Sequence, residues 1–143
     1  MILFCDTSAF IKLYVTEDYT EQVRAQAELA KAVAVSRIAW AEAMAALARR
    51  ALESPADADV IENIRANLRS DWSSFAIVEV TQAVVELAGE YADIFALRGY
   101  DSVQLACAYT IQDAADEPLC FACFDSRLQK AAAMLGMQAL GKN

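Results

Sequence analysis

The 143-residue chain contains no histidine. That absence removes Ser-His-Asp and Cys-His arrangements and every imidazole acid–base step, leaving carboxylates, a metal ion and water as means of hydrolysis. Positive charge is scarce as well. The 12 Lys and Arg stand against 20 Asp and Glu, a net charge of -8, which argues against a broad basic platform for nucleic acid but leaves room for a local basic rim. No stretch approaches the ~20 apolar residues of a membrane span. The N-terminus MILFCD carries no basic segment, and Asp6 breaks its apolar run, so a cytoplasmic protein with no membrane association is expected. Repeats, low-complexity tracts and interdomain linkers are also missing. With 57% hydrophobic residues, the expectation is a single domain over residues 1–143 with ample material for a core.

The four cysteines, Cys5, Cys107, Cys120 and Cys123, lie inside apolar runs, which suits reduced core residues rather than a secreted disulfide framework. Cys120 and Cys123 do form a C-x-x-C. A zinc site would need two more ligands, and residues three apart in a strand point to opposite faces, so a buried structural role is the expectation.

Short apolar runs alternate with helical patterns. ILFC (2–5) precedes helices at 7–15 and 19–31; VAVS (33–36) precedes 37–53 and 56–72; FAIVEV (75–80) precedes 81–97 and 101–115; LCFACF (119–124) precedes 126–135; MQAL (137–140) closes the series. This is the alternation of an α/β fold with a mostly parallel sheet of four to five strands and helices on both faces. Ser54-Pro55 should separate two helices, Gly99 should close one, and Gly136 should end the last.

Four acids stand out as the polar exceptions of their segments: Asp6, Glu42, Asp101 and Asp125. Asp6 and Asp125 each follow a strand and precede a helix, so each reads either as a helix N-cap or as a group delivered to the sheet edge where α/β proteins bind ligands. Asp101 and Gln104 have capping-box spacing, although a cap leaves acceptor capacity to spare. Glu42 is the one polar side chain in IAWAEAMAALA, a helix apolar nearly all round and therefore expected to be buried. It reads either as a partner of Arg49 or Arg98 or as a ligand. Acids brought together without a cation would raise one another's pKa; bound Mg²⁺ or Mn²⁺, which prefer oxygen donors, would reverse that effect.

The segments DTSAFIKLYV, SRIAWAEAMAAL, LRGYDSVQLACA and FDSRLQKAAAMLG, in that order, resemble the PIN-domain family and specifically the VapC-type ribonuclease toxins of toxin–antitoxin pairs. The resemblance spans essentially the whole chain. It implies a PIN-like three-layer sandwich and a Mg²⁺- or Mn²⁺-dependent endoribonuclease, with Asp6, Glu42, Asp101 and Asp125 as the acidic cluster and Asp6 and Asp101 as the direct metal ligands. It also implies 5′-phosphate and 3′-hydroxyl products, a homodimer, and a VapB-like antitoxin covering the active-site groove. Ser8 and Ser126 would support the metal site from behind, and Gln104 stands where such proteins often carry histidine.

Basic candidates for RNA contact are Lys12, Arg37, Arg98, Arg127 and Lys130, each near an acidic segment; the bland reading of each is solvated surface charge. Phe10, Tyr14, Trp40 and Tyr100 read as core or interface rather than base-stacking groups. Among rivals, a non-catalytic PIN-like binding module would keep the acids as caps or as holders of a structural ion and act through a protein partner. A phosphatase of the haloacid-dehalogenase kind wants a second Asp where Ser8 stands, and dinucleotide binding wants glycines where TSAF follows the first strand.

Overall fold

In a computed structural model, which describes residues 1–141, five short strands form one sheet: β1 (Ile2–Cys5), β2 (Ala32–Ser36), β3 (Ala76–Val78), β4 (Leu119–Ala122) and β5 (Gln138–Leu140). All neighbouring pairs are parallel, in the order β3-β2-β1-β4-β5. The connecting helices are α1 (Thr7–Lys12), α2 (Thr20–Leu29), α3 (Ala39–Glu53), α4 (Ala58–Asp71), α5 (Gln82–Ile94), α6 (Gly99–Ala115) and α7 (Ser126–Met134).

Strand alternation divides the apolar residues between two cores, one on each face. Ile2, Phe4, Ala34 and Phe121 point to the side covered by α5, α6 and α7; Leu3, Cys5, Val35, Cys120 and Ala122 point to the side covered by α1 to α4. Because both faces are covered, β1 and β4 are buried at every residue, which explains why they read as continuous apolar runs. Phe4 and Phe121 are register partners, and their rings stack at 5.5 Å. Each such fully buried side chain contributes about 1.5–3 kcal/mol of transfer free energy. Cys120 and Cys123 fall into opposite cores and all four cysteines are free and buried, as the strand geometry requires.

The chain places β2 and β3 on one side of β1 and then crosses to put β4 on the other. The order of strands therefore reverses between β1 and β4, the position at which open α/β sheets leave a crevice beyond their carboxyl ends. Both strands run out there into an aspartate.

Several boundaries differ from the sequence expectation. The FAIVEV run contributes only Ala76–Val78 to the sheet, because it lies at the edge and its one partner, β2, ends at Ser36. Gly99 does not close α5: that helix ends at Ile94, Ala96 takes the left-handed conformation (φ 52°) that breaks it, and Gly99 is the first residue of α6. Asp101 is accordingly not a cap but a first-turn residue of α6, whose N-cap position is Arg98. Gly136 does follow the last helix, with φ 85°, a conformation that costs a residue with a Cβ. No helix among the described residues is long and apolar enough to cross a membrane.

Candidate acidic site

Each of the four acids sits at the N-terminal end of a different helix. Asp6 follows β1 and caps α1, its Oδ1 accepting hydrogen bonds from the Ala9 amide (2.9 Å) and the Ser8 hydroxyl (2.7 Å). Asp125 caps α7 in the same manner, with Oδ1 accepting from the Leu128 amide at 2.9 Å. Glu42 and Asp101 stand in the first turns of α3 and α6. Helix N-termini carry partial positive charge, which attracts negatively charged groups placed beside them.

The four acids line one cavity of about 340 Å³ together with Thr7, Ser8, Arg98, Tyr100, Gln104 and Phe124. Asp6 lies deepest, 8% exposed. Burial pushes its pKa up to about 6, against the pull of the bonds from Ser8 and Ala9; the charges of Asp101 and Glu42 raise it further. The half-buried Asp101 is also raised, by burial first and then by Asp125, with Arg98 opposing and Glu42 adding. These acids feel one another's charge, yet none forms a salt bridge with a Lys or Arg among the described residues.

Glu42 is held by neutral donors. Its Oε1 accepts from the Thr7 hydroxyl at 2.7 Å and from the Gln104 amide nitrogen at 3.3 Å, and that same nitrogen also reaches Thr7 Oγ1 at 3.3 Å. Neither Arg49 nor Arg98 pairs with it. Gln104 is 4% exposed, and its Oε1, also buried, has no hydrogen-bond partner. A buried amide oxygen without a donor is costly, so a proton from a group bound in the cavity would find an acceptor here.

The arrangement is an acidic, oxygen-rich cavity in want of positive charge. Among the described residues no three acids come together tightly enough to enclose an ion alone. The donor set nonetheless fits a hard divalent ion that takes one or two carboxylates directly and keeps water on its remaining positions.

The chain matches the PIN domain over residues 3–134. It belongs to the PIN-domain family. A curated relative, ribonuclease VapC45 of Mycobacterium tuberculosis, is 35% identical over 139 residues, covering 94% of this chain and 92% of its own. Among solved structures, VapBC2 from Rickettsia felis bound to a DNA fragment from their promoter matches with a TM-score of 0.64 at 12% identity over 100% of both chains. A toxin–antitoxin complex from Klebsiella pneumoniae matches with a TM-score of 0.61 at 21% identity over 88% of each. The five-stranded parallel sheet between two helical layers is the three-layer PIN fold.

Placement within this PIN domain separates the remaining candidates. Ser8 supports Asp6 directly, whereas Ser126 is exposed on the rim of a neighbouring cavity shared with Asp101 and Asp125. Lys12 is already engaged: it pairs with Glu17 at 3.0 Å and lies 4.7 Å over the Phe124 ring, and it does not line the acidic cavity. Arg37 pairs with Glu79 and Lys130 is exposed; neither lines the acidic cavity. Arg98 lines it, and Arg127 lines the neighbouring one.

Three expectations are corrected. The helix around Glu42 is not buried all round: Ile38, Ala41, Ala45, Ala48 and Leu52 form an exposed apolar face, because alanines are uninformative about burial. Asp101 and Gln104 form no capping box, and Gln104 crosses instead to Glu42. Tyr100, read as core or interface, is 55% exposed at the cavity mouth. Phe10, Tyr14 and Trp40 do pack, around Trp72 and Phe75. Thr7 was missed as a site residue; its position beside Asp6 in DTS was the available signal.

Proposed function

We propose that this protein is a cytoplasmic, Mg²⁺- or Mn²⁺-dependent endoribonuclease, the toxin of a toxin–antitoxin pair. The observation that carries the reading is the cavity at the β1/β4 reversal, where four unpaired carboxylates from four helix N-termini face one space. The 35% identity to a protein named as a ribonuclease supports it.

Asp6 and Asp101 would hold the ion, with Glu42 and Asp125 acting directly or through water. A bound divalent ion supplies a lowered pKa for water and offsets the charge of the phosphodiester. The chain's own residues supply position and a route for the proton. Asp6 spends Oδ1 on the cap and the Ser8 hydroxyl, which leaves Oδ2 for the cavity. Thr7 and Gln104 fix Glu42 through Oε1 and leave Oε2 to orient water. Asp125 keeps Oδ2 free by the same division. With no histidine, the proton of the attacking water passes to a carboxylate or to solvent. Attack at phosphorus and loss of the 3′ oxygen give 5′-phosphate and 3′-hydroxyl ends.

The test is cleavage of an RNA pool with Mg²⁺ or Mn²⁺, with EDTA, and by Asp6→Asn and Asp101→Asn. Cleavage only by the wild type with metal is expected; cleavage that survives EDTA and both substitutions would refute the mechanism.

Two partners accompany the proposal. A VapB-like antitoxin segment with apolar and basic residues suits the cleft lined by Val15, Val60, Ile61 and Ile64 with Glu53 and Asp57, since apolar contact and opposite charge are both on offer. A second copy of the chain suits the exposed face of α3, whose apolar residues recur at helical spacing from Ile38 to Leu52.

A further inference from the structure

The acidic cavity does not stand alone. A second cavity of about 310 Å³ continues it on one side, sharing Thr7, Ser8 and Glu42 and adding Arg49. A third of about 260 Å³ continues it on the other side, sharing Arg98, Asp101 and Asp125 and adding Arg127. The unpaired acids occupy the middle of this continuous depression; Arg127 stands at one end, and at the other Arg49 stands beside Arg50 and Glu17, which pair with each other.

The state of each cation distinguishes these arginines from the rest of the basic residues nearby. Lys12 and Arg50 are both taken by Glu17, and Arg37 by Glu79. Arg49, Arg98 and Arg127 form no salt bridge among the described residues. Two of them are nevertheless held in place by neutral oxygens: Arg98 Nη1 donates to the Tyr100 hydroxyl at 2.8 Å, and Arg127 Nη1 donates to the Ala96 carbonyl at 2.9 Å. A guanidinium anchored by a neutral acceptor keeps its charge and most of its five donors for an anion, in the fork geometry that matches phosphate.

We propose that these three cavities form one groove for a single polynucleotide strand, with phosphate subsites on both sides of the cut: Arg98 and Arg127 on one side, Arg49 on the other. The inference rests on the ribonuclease reading for the position of the cut, but the groove itself rests on the arginines. It gives an acidic protein a means of holding a polyanion, because the unpaired acids are confined to the centre, where a divalent ion is expected, Glu17 at one end is already paired with Lys12 and Arg50, and the flanking phosphates meet cations. It also makes the enzyme strictly internal in its cutting: a linkage at either end of a strand lacks one of the two flanking phosphates.

The groove is tested by binding, which does not require catalysis. Fluorescence anisotropy with a short fluorescein-labelled single-stranded oligoribonucleotide is measured against salt in Mg²⁺, in an Asp125→Asn background that prevents cutting. For single strands the logarithm of affinity falls with the logarithm of salt by about 0.7 per phosphate contact, so three arginines predict a slope near −2. Arg49→Ala, Arg98→Ala and Arg127→Ala should each reduce that slope by about 0.7, and Arg98→Lys should restore it. Neutralising one flanking phosphate as a methylphosphonate should weaken binding, and the loss should vanish in the variant that lacks the arginine facing that phosphate.

Unchanged slopes in all three alanine variants, or losses that do not depend on which phosphate is neutralised, would overturn the groove even if the wild type cuts RNA. The expected slopes in a wild type that cuts no RNA would leave the groove standing and remove the nuclease reading instead. All three arginines are exposed, and circular dichroism confirms that each variant is folded before its slope is read.

Discussion

Replacing Asp6 by Asn should stabilise the metal-free protein at neutral pH. Burial is the main reason that Asp6 holds its proton up to about 6 rather than the ordinary 3.8. The shift, about 2 units, corresponds to about 3 kcal/mol at 1.36 kcal/mol per unit. Between 3.8 and about 6 the folded chain binds more protons at this group than the unfolded chain does. Unfolding free energy from Asp6 therefore falls as pH rises through that window and stays low above it. Asparagine caps a helix about as well as aspartate and keeps an oxygen for the bonds from Ala9 and Ser8, so the substitution removes the buried charge and little else.

In EDTA at pH 7 the variant should be more stable by up to about 3 kcal/mol, a rise of several degrees in Tm for a domain of this size. The gain should shrink as pH falls through that window and vanish about a unit below 3.8, where both states carry a protonated Asp6. Mg²⁺ or Mn²⁺ should then raise the Tm of the wild type and leave that of the variant nearly unmoved, because a ligand stabilises only the form that binds it. Chemical or thermal unfolding across pH, with and without metal, measures all of this. A variant no more stable than the wild type at pH 7 in EDTA, or a gap that persists undiminished about a unit below 3.8, would refute the account of Asp6 as an acid held at a cost until a cation arrives.

Thr7→Val removes the 2.7 Å bond to Glu42 and should cost about 1 kcal/mol of stability; metal affinity by calorimetry should fall with it, since Glu42 loses its fixed orientation. Phe121→Ala deletes a fully buried ring stacked on Phe4 and should destabilise by about 3–5 kcal/mol in urea titrations, with an unchanged m-value. Ile38→Glu together with Leu52→Glu places charge on the exposed face of α3 and should change the stability of the fold by no more than about 1 kcal/mol; light scattering is expected to report a dimer for the wild type and a monomer for the variant, and an unaltered mass would refute that face as the interface.

The layout of the fold was legible because its elements carry different periods: β1 and β4 as unbroken apolar runs, the helices as longer amphipathic stretches. Ala96 shows why the boundary before α6 was not legible. Nothing in FALRG announces that an alanine takes the left-handed conformation that ends α5, so Gly99 drew the boundary to itself and carried Asp101 with it. The acids were legible as misfits, but their surroundings were not. Gln104 looked like half of a capping box because spacing of three serves equally for a cap and for one face of a helix; only the meeting of the N-terminal ends of α1, α3 and α6 at one sheet edge decides that its amide reaches Thr7 and Glu42. The state of the cations was hidden for a similar reason. Which arginine is free depends on where Glu17 and Glu79 fall in space, and both lie far in sequence from Arg50 and Arg37, the partners they take.

The alternative between helix cap and ligand, natural when each acid is taken singly, dissolves in the geometry. A carboxylate has two oxygens, and at Asp6 and Asp125 the cap engages only Oδ1. The cap fixes the rotamer and so aims the second oxygen, which is the preorganisation a metal ligand needs. It also limits the cost of burial: without the Ala9 and Ser8 bonds that pull against it, Asp6 would rise above its value of about 6 and spend more of its time protonated at neutral pH. A parallel sheet supplies this device repeatedly: β1, β2 and β4 each hand over to a helix whose N-terminus carries one of the acids, and α6, which follows α5, brings the fourth. Placing four acids at four such termini raises their mutual repulsion and meets it with backbone dipoles. The balance leaves a cluster ionised enough to attract a divalent ion and too crowded to be comfortable without one.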